Sequence, residues 1–131
     1  MSSQLDELMT YAKDFFGTSA EYLWDSYPDA AVFRHEVNKK WYAIVMHISY
    51  RKLGIDSDEM LDILDVKCDT QLLGSLLQKE GCHPAYHMNK SHWLTVRLDG
   101  TVPFEEIIGL LEMSYNLIKP KITKKPAKRT V

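Results

Sequence analysis

Only two cysteines occur in the 131 residues, and no Cys-x-x-Cys pair or zinc-type spacing involves them. Cys68 and Cys82 bracket a stretch read as a helix. About ten helical residues would hold them roughly 15 Å apart, beyond the ~7 Å Cα limit for a disulfide. Two free thiols in a reducing compartment are therefore expected. Long apolar runs are also missing, and nothing approaches the roughly 20 residues of a membrane-spanning helix. Asp6, Glu7 and Lys13 interrupt the opening residues, so no secretory leader is read and the expected location is cytoplasmic, away from membrane. Enzyme signatures are scarce as well: there is no Gly-x-Ser-x-Gly elbow, no phosphate-cradling glycine loop and no His-Glu-x-x-His. Cys82 beside His83 makes no nucleophile–base pair, because neighbouring strand residues point to opposite faces. The expectation is a non-enzyme without a cofactor.

What is present is ordinary globular material, 45% apolar and 26% charged, enough for one core. The net charge of −2 conceals a division. Residues 119–131 carry Lys119, Lys121, Lys124, Lys125, Lys128 and Arg129 without one acid, leaving 10 basic against 18 acidic side chains in the body. That balance argues against a uniformly basic nucleic-acid binder while leaving room for a local patch. A single domain over 1–118 followed by a basic, disordered tail over 119–131 is expected.

Leu5, Leu8, Met9, Ala12, Phe15 and Phe16 recur at helical spacing, with Ser3 as N-cap and Gly17 as the stop. Ala31–His35 reads as a short strand, with Asn38 as the turn residue into a long strand over Trp41–Tyr50. Its even-numbered side, Tyr42, Ile44, Met46 and Ile48, is expected to face the core, with Trp41, Ala43, Val45 and His47 outward. Leu61–Cys68 is a third strand with Leu64, Val66 and Cys68 inward. Asp69 caps a second helix carrying Leu72, Leu73, Leu76 and Leu77, which Gly81 stops. Pro84 makes Ala85–Met88 extended, Asn89–Ser91 turns, and His92–Leu98 returns with Leu94, Val96 and Leu98 inward. Pro103 opens a third helix with a broad apolar face. The order is helix, three strands, helix, two strands, helix: an α+β, two-layer sandwich with a mainly antiparallel sheet.

With helices on one face, the other sheet face is expected to meet water. It would carry Arg34, Trp41, His47, Lys67, Trp93 and Arg97, with Val45 and Ile63 between them. Tryptophans among fixed cations suit nucleic-acid stacking. The same rings could instead form a protein or homodimer interface, or simply pack on one another. Cys82, His83, His87 and His92 suggest a metal by proximity alone. On a strand, however, His83 and His87 lie ~13 Å apart, too far to share an ion, so no metal site is assigned.

The segments YPDAAVFRH, KKWYAIVM, RKLGID, LDVKCD, HPAYHMNKSHWLTVRLDGTVP and SYNLIK resemble the MmcQ/YjbR family of small bacterial proteins over residues 1–118. The resemblance implies a frataxin (CyaY)-like sandwich of the kind also seen in type III secretion chaperones. It further implies a DNA-binding role with a double-wing arrangement, and brings no enzymatic activity with it. Motif positions here are Lys40, Trp41, Lys52, Lys67, His87, Asn89, Lys90, His92 and Trp93, to which the strand alternation adds Arg34 and Arg97. A nucleic acid contacted through the open face and the 87–93 hairpin is thus the expected partner; a protein-interaction or chaperone-like module is the alternative.

Overall fold

The computed structural model describes residues 3–120. Helix α1 spans Gln4–Phe16; the Ser3 hydroxyl caps it by accepting from the Asp6 amide, and Gly17, at φ 66°, closes it in the left-handed conformation that glycine adopts without strain. Strands β1 (Ala31–Arg34) and β2 (Trp41–Ser49) follow, then a single 3-10 turn over Tyr50–Leu53 and strand β3 (Met60–Lys67). Helix α2 (Thr70–Leu76) starts at Asp69, whose carboxylate accepts from the Gln71 amide as expected. Strands β4 (Cys82–Pro84) and β5 (Trp93–Arg97) and helix α3 (Phe104–Ile118) complete the chain. The five strands form one antiparallel sheet in the order β1-β2-β3-β5-β4. The α+β order of helices and strands is therefore the one read from the sequence.

Helices α1 and α3 cover one sheet face. Leu8 and Ala12 of α1 and Ile107, Leu111 and Ile118 of α3 pack on Ala31, Phe33, Ala43, Val45, Leu64, Val66, Leu94 and Val96, all buried. Burying apolar area at roughly 25 cal/mol per Å² makes this layer the main source of stability. Ser114 locks α3 onto the sheet from within: its hydroxyl donates to the Tyr42 carbonyl at 2.5 Å and accepts from the Lys67 amide at 2.8 Å. Phe15, expected in the α1 stripe, is 69% exposed and stacks on Tyr11 instead.

The facing of β2 differs from the expectation. In the β1–β2 ladder Phe33 pairs with Ala43 and Arg34 with Trp41, so Tyr42 is an extra residue, a β-bulge. The bulge reverses the alternation along the strand. Tyr42 packs edge-on against Phe16, Phe33 and Tyr115 on the helix side, joined there by Ala43 and Val45. Ile44 and Met46 cluster on the opposite face, and so does Ile48. His47 shares a cross-strand pair with Asp62, its Nδ1 lying 2.8 Å from Oδ1. Val45 and His47 thus leave the surface to which the sequence assigned them.

The second face is not open. Ile44, Ile63, Asp65, Trp93 and Thr95 lie on it, and all are buried. The 85–92 connection covers one part, with Ala85 and Met88 packed on Val32, Ile44 and Trp93. Tyr50, Leu53 and Tyr86 cover the other, over Ile48, Leu61 and Ile63. A sheet whose two faces both carry β-branched and aromatic side chains needs a second cover, and the chain supplies it from irregular structure. Both cysteines are buried and free. No helix among the described residues is long and apolar enough to cross a membrane. Most of the basic tail lies outside the described residues, with Lys119 extended just beyond α3.

Candidate functional site

The β4–β5 connection does not make the extended segment and tight hairpin that the sequence suggested. Eight residues, 85–92, cross the sheet face as an irregular loop, with His87 at φ 64°. Asn89 turns the loop: its side-chain Oδ1 accepts from the Ser91 amide at 2.8 Å, and its carbonyl accepts from His92 at 3.1 Å and Trp93 at 2.9 Å. His92 in turn gives its carbonyl to the Cys68 amide at 2.8 Å, joining the loop to the end of β3.

Beneath the loop lies a row of cross-strand neighbours: Val32, Ile44, Asp65, Thr95 and His83. Asp65 is fully buried. Thr95 Oγ1 donates to Asp65 Oδ1 and accepts from the Tyr86 amide at 2.8 Å, so one hydroxyl ties carboxyl to loop. Asp65 Oδ2 has no hydrogen-bond partner among the described residues. Burial pushes the acid from 3.8 up to about 7, against the opposing pull of the Thr95 hydrogen bond and the Lys90 charge. Lys90 donates from Nζ to the Ala85 carbonyl at 2.8 Å, bracing the loop.

Beside this row, Lys52, Leu53, His83, Pro84, Ala85, Tyr86 and Lys90 line a pocket of about 220 Å³. His83 Nε2 is buried without a hydrogen-bond partner among the described residues, and burial, then the nearby Arg97 charge, hold the imidazole below its usual pKa. At the other end of the same face, Trp41 is half-buried. Trp24 meets it edge-on at 5.9 Å between centroids, and the Arg34 guanidinium lies 5.9 Å from the centre of the Trp41 ring. Lys67 pairs across the sheet with Trp93, which packs in the same cluster as Trp41 and Met88.

The residues singled out from sequence therefore separate into three groups. Arg34, Lys40, Trp41, Lys67, His87, Asn89 and His92 keep some exposure, and Arg34, Trp41 and Trp24 form one connected cluster. Lys52 and Lys90 go to the pocket. Trp93 and Arg97 are largely withdrawn. Trp93 is 8% exposed beneath the loop. Arg97 donates from Nη2 to Thr101 at 2.9 Å, lies 3.3 Å from Asp99 and covers Tyr50, so its charge is committed within the fold. Trp24, read from sequence only as an anchor at the domain edge, and Asp65, Thr95 and Tyr86 were not among the candidate site residues. For Asp65 the signal was present: an acid between apolar neighbours in LDILDVKC, on a strand whose two faces both needed cover.

Comparison with known proteins places this architecture. The YjbR family model matches residues 13–117. The chain belongs to the YjbR family. Its resemblance to other YjbR-type proteins extends to the uncharacterized YyaQ of Bacillus subtilis, 40% identical over 114 residues, which cover 87% of this chain and 97% of YyaQ. Uncharacterized YjbR of Escherichia coli K12 matches over 38 residues at 45% identity, 29% of this chain and 32% of that protein. Among solved structures, a Pseudomonas syringae crystal structure superimposes with TM-score 0.85 at 44% identity, covering 91% of this chain and all of that one. A Deinococcus radiodurans protein with a DUF419 domain gives TM-score 0.69 at 29% identity, covering 93% of this chain and 83% of that one. The membership anticipated from PAYHMNKSHW and its companion motifs is thus correct.

Proposed function

We propose that this YjbR-family chain is a non-catalytic nucleic-acid-binding protein that works through the Trp41 end of the covered sheet face rather than through an open sheet. The observation that carries the reading is the accessible Trp41 ring with Trp24 edge-on to it and Arg34 beside it. Lys40, His87, Asn89 and His92 are exposed, and Lys67 is partly so. An aromatic ring offered beside cations suits an unstacked base with its phosphate, each stacked base contributing ~1–3 kcal/mol. Glu21 holds Arg34 through a 3.1 Å ion pair, and the body is acidic, so affinity should be modest and steeply salt-dependent.

Fluorescence anisotropy of labelled single-stranded and duplex oligonucleotides, titrated across salt, tests this. Trp41→Ala should weaken binding by about tenfold, a stacking loss of ~1–3 kcal/mol, including in a chain whose tail cations are replaced by glutamine. Binding that ignores Trp41 and vanishes with the tail charges would show nonspecific electrostatics and refute the assignment. A protein partner is the second reading, favoured by the run of Tyr22, Leu23, Trp24 and Tyr27, exposed by 58%, 44%, 36% and 67%. A sedimentation dimer dissolved by Tyr27→Ser and indifferent to oligonucleotides would favour it.

A further inference from the structure

The second cluster, away from the Trp41 cluster and independent of the nucleic-acid reading, is the pocket between the Tyr50–Leu53 turn and the 84–90 segment. It brings Lys52 and Lys90 into the lining of one concavity of about 220 Å³, with His83 and Tyr86 in the walls and no acidic side chain lining it among the described residues. These two lysines stand 38 positions apart in sequence, and the antiparallel sheet brings them together. Lys90 uses one of its three donors on the Ala85 carbonyl, leaving two for a ligand. Lys52 makes no ion pair among the described residues, in contrast to its neighbour Arg51, which is clamped by Asp56 and Asp58. Asp65, the acid on which the Lys90 charge acts, is raised by burial to about 7 and so compensates Lys90 only in part at neutral pH.

We infer that this pocket binds the phosphoryl group of a small phosphate monoester, held between the Lys52 and Lys90 ammonium groups. Two cations without a lining carboxylate match a group that carries close to two negative charges and three acceptor oxygens at neutral pH. A monocarboxylate would leave half of that charge unanswered. The volume is below the ~300–1,000 Å³ of sites for drug-sized ligands, which limits the ester to a short carbon skeleton. Tyr86 and Leu53 offer that skeleton apolar contact.

The test is a ¹H–¹⁵N NMR titration of the full chain with inorganic phosphate and glycerol 3-phosphate, against acetate at matched ionic strength. Saturable shifts confined to residues 52–54 and 83–90 are expected, with acetate at least about tenfold weaker. Lys52→Gln should weaken both phosphates by about tenfold or more, while Lys52→Arg retains binding within about threefold. Lys90→Gln should do the same, but Lys90 also braces the loop. Lys52, on the exposed turn, is therefore the deciding position. Trp41→Ala should leave these titrations unchanged, so failure here and failure of the nucleic-acid surface are separable. Unsaturable shifts spread over surface lysines, or equal affinity in Lys52→Gln, would overturn the site. Displacement of glycerol 3-phosphate by an unphosphorylated oligonucleotide would overturn the small-molecule assignment in favour of backbone phosphate.

Discussion

Asp65 should set the pH dependence of stability, in a direction opposite to that of most carboxylates. Its folded pKa is raised to about 7 from 3.8, so the folded state holds the proton that the unfolded state releases. Protonated Asp65 is compatible with burial at full strength below about pH 4. That contribution is lost as pH rises from about 4 through about 7. At 1.36 kcal/mol per pH unit over about three units, the loss is at most roughly 4 kcal/mol. Asp65→Asn isolates it. The amide oxygen keeps the acceptor for Thr95, while Nδ2 takes the place of the unpartnered Oδ2 and brings two buried, unused N–H donors where the protonated carboxyl has one, an added cost of about 1–3 kcal/mol. The variant should be less stable than the parent near pH 4.5 and more stable near pH 8, the two curves crossing between. Urea unfolding at half-unit steps from pH 4.5 to 8 measures this. The other titrating groups, His83 among them, are common to both chains and cancel in the difference. Two parallel pH profiles would show that Asp65 ionises freely in the folded state and refute the reasoning.

Two further substitutions probe the cover and its attachment. Trp93→Ala should cost about 3–5 kcal/mol in denaturant unfolding, because the ring is buried under the loop against Val32, Ile44 and Ala85; a cost below about 1 kcal/mol would mean that the face is open after all. Gly81→Ala should cost about 1–3 kcal/mol by the same measurement, since φ is 93° and the added Cβ would lie 2.6 Å from Val102 Cγ2; an unchanged midpoint would contradict that geometry.

The fold was legible where local chemistry and periodicity agree. Ser3 and Gly17 bound α1, Asp69 starts α2, and the alternation Leu64, Val66 and Leu94, Val96 gives the helix-facing side of β3 and β5 without error. It failed in β2 because alternation assumes one uninterrupted phase. With Tyr42 anchored inward, every later residue is assigned to the wrong face, and only the pairing of Arg34 with Trp41 reveals the extra residue. The helix α2 that was to bury four leucines is seven residues long with none fully buried, since its turns end before Gly81. The site was legible as composition and illegible as geometry. A list of outward residues says which side chains share a face, and nothing in it says whether a later segment lies across that face.

That cover changes what the most specific motif means. In PAYHMNKSHW, Ala85, Met88 and Trp93 pack down on the sheet, Asn89 shapes the turn, and Lys90 reaches back to the Ala85 carbonyl. Half of the motif is therefore explained by closing an apolar face with irregular backbone, whose amide groups need the partners that Thr95 and Asn89 supply. Packing alone does not require a lysine in the brace, since its side chain stays exposed while Nζ reaches the Ala85 carbonyl. Asp65 answers Lys90 only while ionised, and burial resists that ionisation up to about pH 7. A lysine placed over a half-neutral acid, opening with a second lysine onto a recess that no carboxylate lines among the described residues, is an arrangement that an anion would complete.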